Sequence, residues 1–186
     1  MSELALTRPS SLDRLEGTPL AGGTEVVPLL RDGLLRTEAL ADVRRLLPRG
    51  VDGDVIGAGT TLADLERSGE VPEALREACR LAASPQLRAM GTIGGNLLQA
   101  TRCWYWRLDF PCFLHGGDRC HASEGEHREH AIFAVEPCAS AHPSDPAAAI
   151  ANAIRDATGA DVRSLPITRE EMLRALREAR ERAHAL

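Results

Sequence analysis

The tightest constraint on this chain lies in Ser84 to Asn96, SPQLRAMGTIGGN, where a polar lead runs into Met90-Gly91-Thr92-Ile93-Gly94-Gly95-Asn96. Paired glycines remove two β-carbons, which suits a backbone that turns tightly or approaches another group closely. Thr92 and Asn96 flank the pair with side chains able to bond a phosphate or a carbonyl, and consecutive amides turned inward form an anion-binding concavity. An upstream stretch, Leu20-Ala21-Gly22-Gly23-Thr24-Glu25, has the same character. Either pair alone reads most simply as a tight turn. Two pairs, each beside a threonine, together suit one long ligand that contains a diphosphate.

At 186 residues the chain is sized for one domain of one or two lobes. Hydrophobic residues make up 44% and aromatics only 3%, so aliphatic side chains and alanine must fill the core. A net charge of −5 with no basic stripe argues against a nucleic-acid partner. No run approaches the ~18 apolar residues of a membrane helix. Met1 to Leu20 lacks the basic-then-apolar order of a secretory leader. The expectation is a cytoplasmic chain without a membrane partner.

Taken in order, Thr18 to Ala21 reads as a strand that ends at the first glycine pair. Ala39 to Leu47 places apolar residues at helix-like spacing and closes at Pro48. Ile56-Gly57-Ala58-Gly59-Thr60-Thr61-Leu62 superficially suggests a dinucleotide fingerprint, but Leu62 stands where the third glycine belongs, which rules out a Rossmann reading. Thr61 with Asp64 reads instead as the cap of a helix ending near Gly69. Pro72 to Ala83 reads as a second helix, with Leu75, Ala78, Cys79 and Ala82 on one face. It delivers the chain into the loop at Ser84.

Four of the five cysteines follow: Cys103, Cys112, Cys120 and Cys138, with 8, 7 and 17 residues between them. The segment has little apolar periodicity, so something other than burial must order it, and metal binding supplies folding free energy. Soft thiolates suit zinc or an iron–sulfur cluster. Structural zinc usually takes closely paired cysteines, and no such pair occurs, whereas long uneven gaps suit a cubane held by loops. Free thiols or disulfides are the remaining reading, the latter disfavoured in a reducing compartment. Cys79 reads as a small buried hydrophobe. His115, His121, His127, His130 and His142 crowd the same region and invite a metal reading, although they read more simply as ordinary loop residues once four cysteines are present. Trp104, Tyr105 and Trp106 read as local packing or, more sharply, as cover for a metal centre against solvent.

Four stretches in fixed order carry a resemblance: AGGTEVVPLL (Ala21 to Leu30), IGAGTTLADLE (Ile56 to Glu66), ASPQLRAMGTIGGNLLQ (Ala83 to Gln99) and HPSDPA (His142 to Ala147). Together they resemble the FAD-binding medium subunit of the xanthine dehydrogenase and aldehyde oxidoreductase family, the molybdenum hydroxylases, over roughly residues 5 to 147. The resemblance implies that Gly22, Gly23, Thr24, Glu25 and Val26 of one loop, and Thr92, Gly94, Gly95 and Asn96 of the other, hold the FAD diphosphate. Asp145 matches an acidic position beyond them. RCWYWR, PCFLHGGDRC, HAIF and EPC resemble the inserted segment of the branch with an extra [4Fe-4S] cluster, which implies Cys103, Cys112, Cys120 and Cys138 as its ligands. The implied partners are a molybdenum-cofactor-binding large subunit and a [2Fe-2S] small subunit. Electrons would pass from partner clusters to an acceptor.

Beyond Asp145 the pattern changes. AAAIANAIRDATGADVRSLPITREEMLRAL resembles the C-terminal end of the large subunit, which implies a junction of two subunits, a missing C-terminal subdomain and weaker FAD binding. By spacing, Ala147 to Thr158 suits a helix, 162–165 a short strand, and Thr168 with Glu171 a capping box before a second helix. The expected architecture is α+β. A PCMH-type FAD lobe occupies residues 1–100, a cysteine-rich cluster segment 101–146 and a helical tail 147–186. The alternatives are a non-catalytic iron–sulfur or metal-binding module with weak or no FAD binding, and a remnant that folds only beside its partners.

Overall fold

A computed structural model of the chain describes residues 4–128, 130–131, 138–140 and 144–150. His142, the strand expected at 162–165 and the helix expected from Thr168 lie outside them, as does the end of the helix expected from Ala147. The described architecture is α+β. β1 (Ala5–Thr7) and β2 (Thr18–Leu20) lie on either side of β3 (Ala39–Asp42), both parallel to it, with Leu6 and Thr18 each opposite Leu40. Pro19 sits on β2, an edge strand, where a missing N–H is tolerated.

The helix-like spacing of Ala39 to Leu47 is overturned. Its first four residues are the central strand, and Ala41 is fully buried there. Ladders on both sides satisfy this backbone, and that tertiary pairing outweighs local periodicity. One turn of the expected helix survives, where Leu46 and Leu47 donate N–H bonds to the Val43 carbonyl.

A small hairpin of β4 (Val51–Asp52) and β5 (Val55–Ile56) leads to the helices α1 (Val26–Arg31) aside, that is, to α2 (Leu62–Arg67), α3 (Glu73–Leu81), α4 (Pro85–Met90) and α5 (Ile93–Leu97). Leu62, Leu65, Val71, Leu75, Cys79, Ala82 and Ile93 form the core, with Val51, Ile56, Leu97 and Ile150 packed against it. Burial, with the Glu66 charge behind it, pushes the Cys79 thiol up to about 11, so this cysteine is the inert hydrophobe its helix position suggests.

Thr61 caps α2 as expected. Its hydroxyl accepts the Asp64 N–H at 3.1 Å and donates to the Asp64 carboxylate at 2.7 Å. Thr61→Ala is expected to lower stability by about 1 kcal/mol, read as a shift in the urea midpoint at unchanged slope. The Thr61 hydroxyl, aided by Arg67, outweighs burial and holds the Asp64 carboxyl below its usual range. That contribution is therefore present above the unfolded pKa of Asp64, about 4, and is lost as pH falls through the lower folded value.

The polar lead Ser84-Pro85-Gln86 is not a loop. Ser84 caps α4, accepting the Leu87 N–H, and Pro85 occupies the first helical position, where its missing N–H costs nothing. Arg88 of α4 reaches Glu66 of α2 at 2.9 Å and clamps the two helices. The cysteine segment adds α6 (Trp104–Arg107), a 3-10 turn (Phe113–His115) and α7 (His121–Glu124). Residues 145–150 are helical, and Ser144 accepts the Ala147 N–H at their start. Among the described residues no helix is long and apolar enough to cross a membrane.

Candidate functional site

The first glycine pair sits between the end of β2 and the start of α1. A β-carbon on Gly22 would lie 1.8 Å from the Met90 carbonyl oxygen at the end of α4, so only glycine allows the two segments this close. Gly23 has φ of +73°, a left-handed conformation that disfavours a side chain. The N–H groups of Gly22, Gly23, Thr24 and Glu25 donate to no acceptor among the described residues. They are free for a ligand or water.

The second pair behaves differently. Gly94 and Gly95 form the first turn of α5 rather than a tight turn, and Thr92 caps it by accepting the Gly95 N–H at 3.2 Å. The amides of Ile93, Gly94 and Asn96 are also engaged, with Thr60, Ala58 and Thr92 carbonyls. The expectation of unpaired amides therefore fails for the second pair, whose donors close the local backbone. A β-carbon on Gly94 would stand 3.0 Å from the Ala58 carbonyl, so its bareness serves the approach of the Gly57–Gly59 loop. That contact also explains the false fingerprint around Gly57. Its glycines face Leu47 and Pro48 rather than a nucleotide.

All ten residues expected at the cofactor lie on two adjoining cavities. The larger, about 360 Å³, is lined by Gly22, Gly23, Val26 and Gly94, with Leu29 and Leu98 among its aliphatic walls. The smaller, about 210 Å³, is lined by Asn96 and Asp145. Thr24, Glu25, Thr92 and Gly95 border both. Ser144 joins Asn96 to the helix bearing Asp145, donating to the Asn96 side-chain oxygen at 2.5 Å.

Two arginines of the cysteine segment were not foreseen. Arg107 donates to one oxygen of Glu25 at 3.1 Å, and Arg102 lies 2.9 Å from the other as an ion pair without a well-aligned hydrogen bond. Glu25 is 13% exposed and Arg107 20%, so this pair is largely withdrawn from water. It ties the first glycine loop to the segment that carries the cysteines, and it offsets the charge of Glu25 at that loop. Separated by dozens of residues, the partners leave no local signal.

Cys103 precedes α6, Cys112 precedes the 3-10 turn, and Cys120 precedes α7. Burial pushes the Cys138 thiol up, and Cys120, Cys103 and Cys112 push it further, so Cys138 is within electrostatic reach of the other three. Burial alone would raise Cys120, but N–H donors from Ala139, Ala122 and Ser123 and the Ser123 hydroxyl outweigh it and hold that thiol below its ordinary value. Among the described residues no group of three or more His, Cys, Asp or Glu side chains is gathered so as to hold a single metal ion. Trp106 stacks on His115 at 5.3 Å and Tyr105 on His121 at 5.9 Å, so the aromatic run packs against the histidines.

A lobe with two glycine-lined cavities, strapped by ion pairs to a cysteine-rich segment, defines a cofactor-holding protein. The chain belongs to the family described as the FAD binding domain in molybdopterin dehydrogenase, whose family model matches residues 7–177. That match runs past residue 147, where the ordered motifs end, and so covers most of the stretch expected to resemble the large subunit. The chain is 37% identical over 155 residues to the aldehyde oxidoreductase FAD-binding subunit PaoB of Escherichia coli (strain K12), covering 75% of this chain and 48% of PaoB. It is 40% identical over 90 residues to the carbon monoxide dehydrogenase medium chain of Afipia carboxidovorans, covering 44% of this chain and 31% of that one. A solved Cu,Mo-CO dehydrogenase in its cyanide-inactivated form is similar at 34% identity with a TM-score of 0.45, over 52% of this chain and 40% of that chain. The chain thus spans less than half the length of these curated relatives.

Proposed function

We propose that this chain is an FAD-holding electron-transfer subunit of a molybdenum hydroxylase-type oxidoreductase, and that Cys103, Cys112, Cys120 and Cys138 hold a [4Fe-4S] cluster beside the flavin. The observation that carries the flavin reading is the gathering of all ten expected residues on two cavities that share four of them. FAD, when bound, supplies reversible one- and two-electron chemistry. The chain's part is to bind and orient. Four N–H groups of Gly22 to Glu25, without an acceptor among the described residues, suit the diphosphate, the Arg102 and Arg107 guanidiniums offset the Glu25 charge, and the aliphatic walls around Leu29 and Leu98 offer apolar surface.

The cluster reading is supported by the donor set. Zinc draws four ligands to about 2.3 Å from one ion, and no gathering of that kind occurs among the described residues. A cubane spreads its four thiolates over four irons, which suits a Cys138 that senses the other three cysteines without crowding them. The N–H donors around Cys120 favour the thiolate that a metal requires. On this reading residues 1–100 form the flavin lobe and 101–146 the cluster segment. Ile150 packs the start of 147–186 onto the first lobe. The partners are a molybdenum-cofactor-binding large subunit and a [2Fe-2S] small subunit, and the chain relays electrons between their clusters and an acceptor.

Anaerobic purification of the full chain, with flavin, iron and sulfide assayed together, tests both halves. About one FAD and about four irons with four sulfides per chain are expected. Iron without flavin would reduce the protein to a metal-binding module. A colourless sample free of iron would end the cluster reading.

A further inference from the structure

His130 differs from the other described histidines. His115, His121 and His127 each place a ring nitrogen near a backbone carbonyl, of Phe110, Pro111 and Gly125 respectively. His130 is only 8% exposed and places Nε2 3.1 Å from the sulfur of Cys103. Its other nitrogen, Nδ1, is buried without a partner among the described residues. An orphaned N–H inside a protein is costly, and a thiolate accepts but does not donate. The proton therefore belongs on Nε2, aimed at sulfur.

The ring is also held. Trp104, the residue after Cys103, meets it edge to face at 5.1 Å and 83°. Its backbone N–H donates to His127, and the next residue, Ala131, donates to Ala139, beside Cys138. The imidazole is thus fixed between two parts of the segment that contribute cysteines.

We propose that His130 is a positioning residue that donates an Nε2–H···Sγ hydrogen bond to Cys103 and thereby raises the reduction potential of the iron–sulfur centre. This rests on the cluster reading given above. One-electron reduction adds one negative charge to the centre and its sulfur ligands, with no bond made or broken. A fixed N–H dipole facing one of those sulfurs favours the more negative state, and hydrogen bonds to ligand sulfur are among the determinants of such potentials.

The experiment uses the anaerobically purified full chain as wild type, H130L, H130N and H130Q. Iron and sulfide are assayed first, then dithionite titrations are followed by EPR. Wild type without iron would overturn the cluster reading itself, before any potential is measured. In loaded protein, H130L is expected to shift the one-electron equilibrium tenfold or more toward the oxidised form, a fall of at least 59 mV. H130N, polar but too short to reach the sulfur, should fall likewise. H130Q, which can place an N–H near the Nε2 position, should recover most of the difference. A potential unchanged in both H130L and H130N would overturn the proposal. So would loss of iron from these variants with the melting temperature retained, which would make His130 a ligand rather than a donor to one.

Discussion

Replacing Gly22 with alanine is expected to force the first glycine loop away from α4 and to abolish flavin retention. The added β-carbon would sit 1.8 Å from the Met90 oxygen, 2.6 Å from its carbonyl carbon and 3.2 Å from the Gly91 nitrogen. Every one of these is backbone, so no flexible side chain can yield. Overpacking a core commonly costs 1–3 kcal/mol, and with main chain on both sides the loss here should reach about 3 kcal/mol or more. The displaced loop would also carry Thr24 and Glu25 away from Thr92 and Gly95, dissolving the border that joins the two cavities. Thermal melts with released-flavin fluorescence read both effects. Gly69→Ala, where nothing lies within 4 Å, is the matched control and should leave both unchanged. A wild-type melt and full flavin in Gly22→Ala would mean that the loop and α4 are not in contact.

The second large effect belongs to Cys120. Cys120→Ala is expected to remove the iron entirely and to leave the segment from Cys103 onward open to protease. Its only buried hydrophobic side chains before Ala139 are Cys112 and Ala122 among the described residues, far too little apolar surface to hold it. On the proposed cluster reading, metal binding supplies the folding energy of this segment. The main core, Leu62 to Ile93, shares none of these residues and should still unfold cooperatively. Cys79→Ala gives the contrast. Its thiol lies in that core and is pushed up to about 11, so the substitution should cost about 1 kcal/mol through lost packing and leave the iron content intact. Retention of full iron by Cys120→Ala would remove this cysteine from the ligand set.

Local physics made part of this molecule readable from its residues. The Thr61 cap, the helix it starts, the helix after it and the burial of Cys79 follow from side-chain chemistry and spacing within a few positions. The family motifs picked out ten of the residues that line the two cavities. The local pattern misled where distant partners decide. Ala39 to Asp42 has helical spacing, yet it is a strand because β1 and β2 close ladders on both its edges. Ser84 to Gln86 is polar and carries proline, yet it starts a helix. Gly94 and Gly95 look like a turn, yet they open a helix, with Ala58 packed against Gly94 and the Thr92 hydroxyl against Gly95.

What the residues alone determined was therefore an inventory: which helices are capped, which positions can do without a β-carbon, and how many thiols follow the second glycine pair. Only the tertiary structure decided that the first pair's amides have no acceptor among the described residues while the second pair's are engaged, that Arg102 and Arg107 clasp Glu25, and that His130 faces Cys103. The reason is range. Capping and backbone preference act over three or four residues, whereas these contacts join groups brought together only when the chain closes on itself, and no short window of sequence carries their energy.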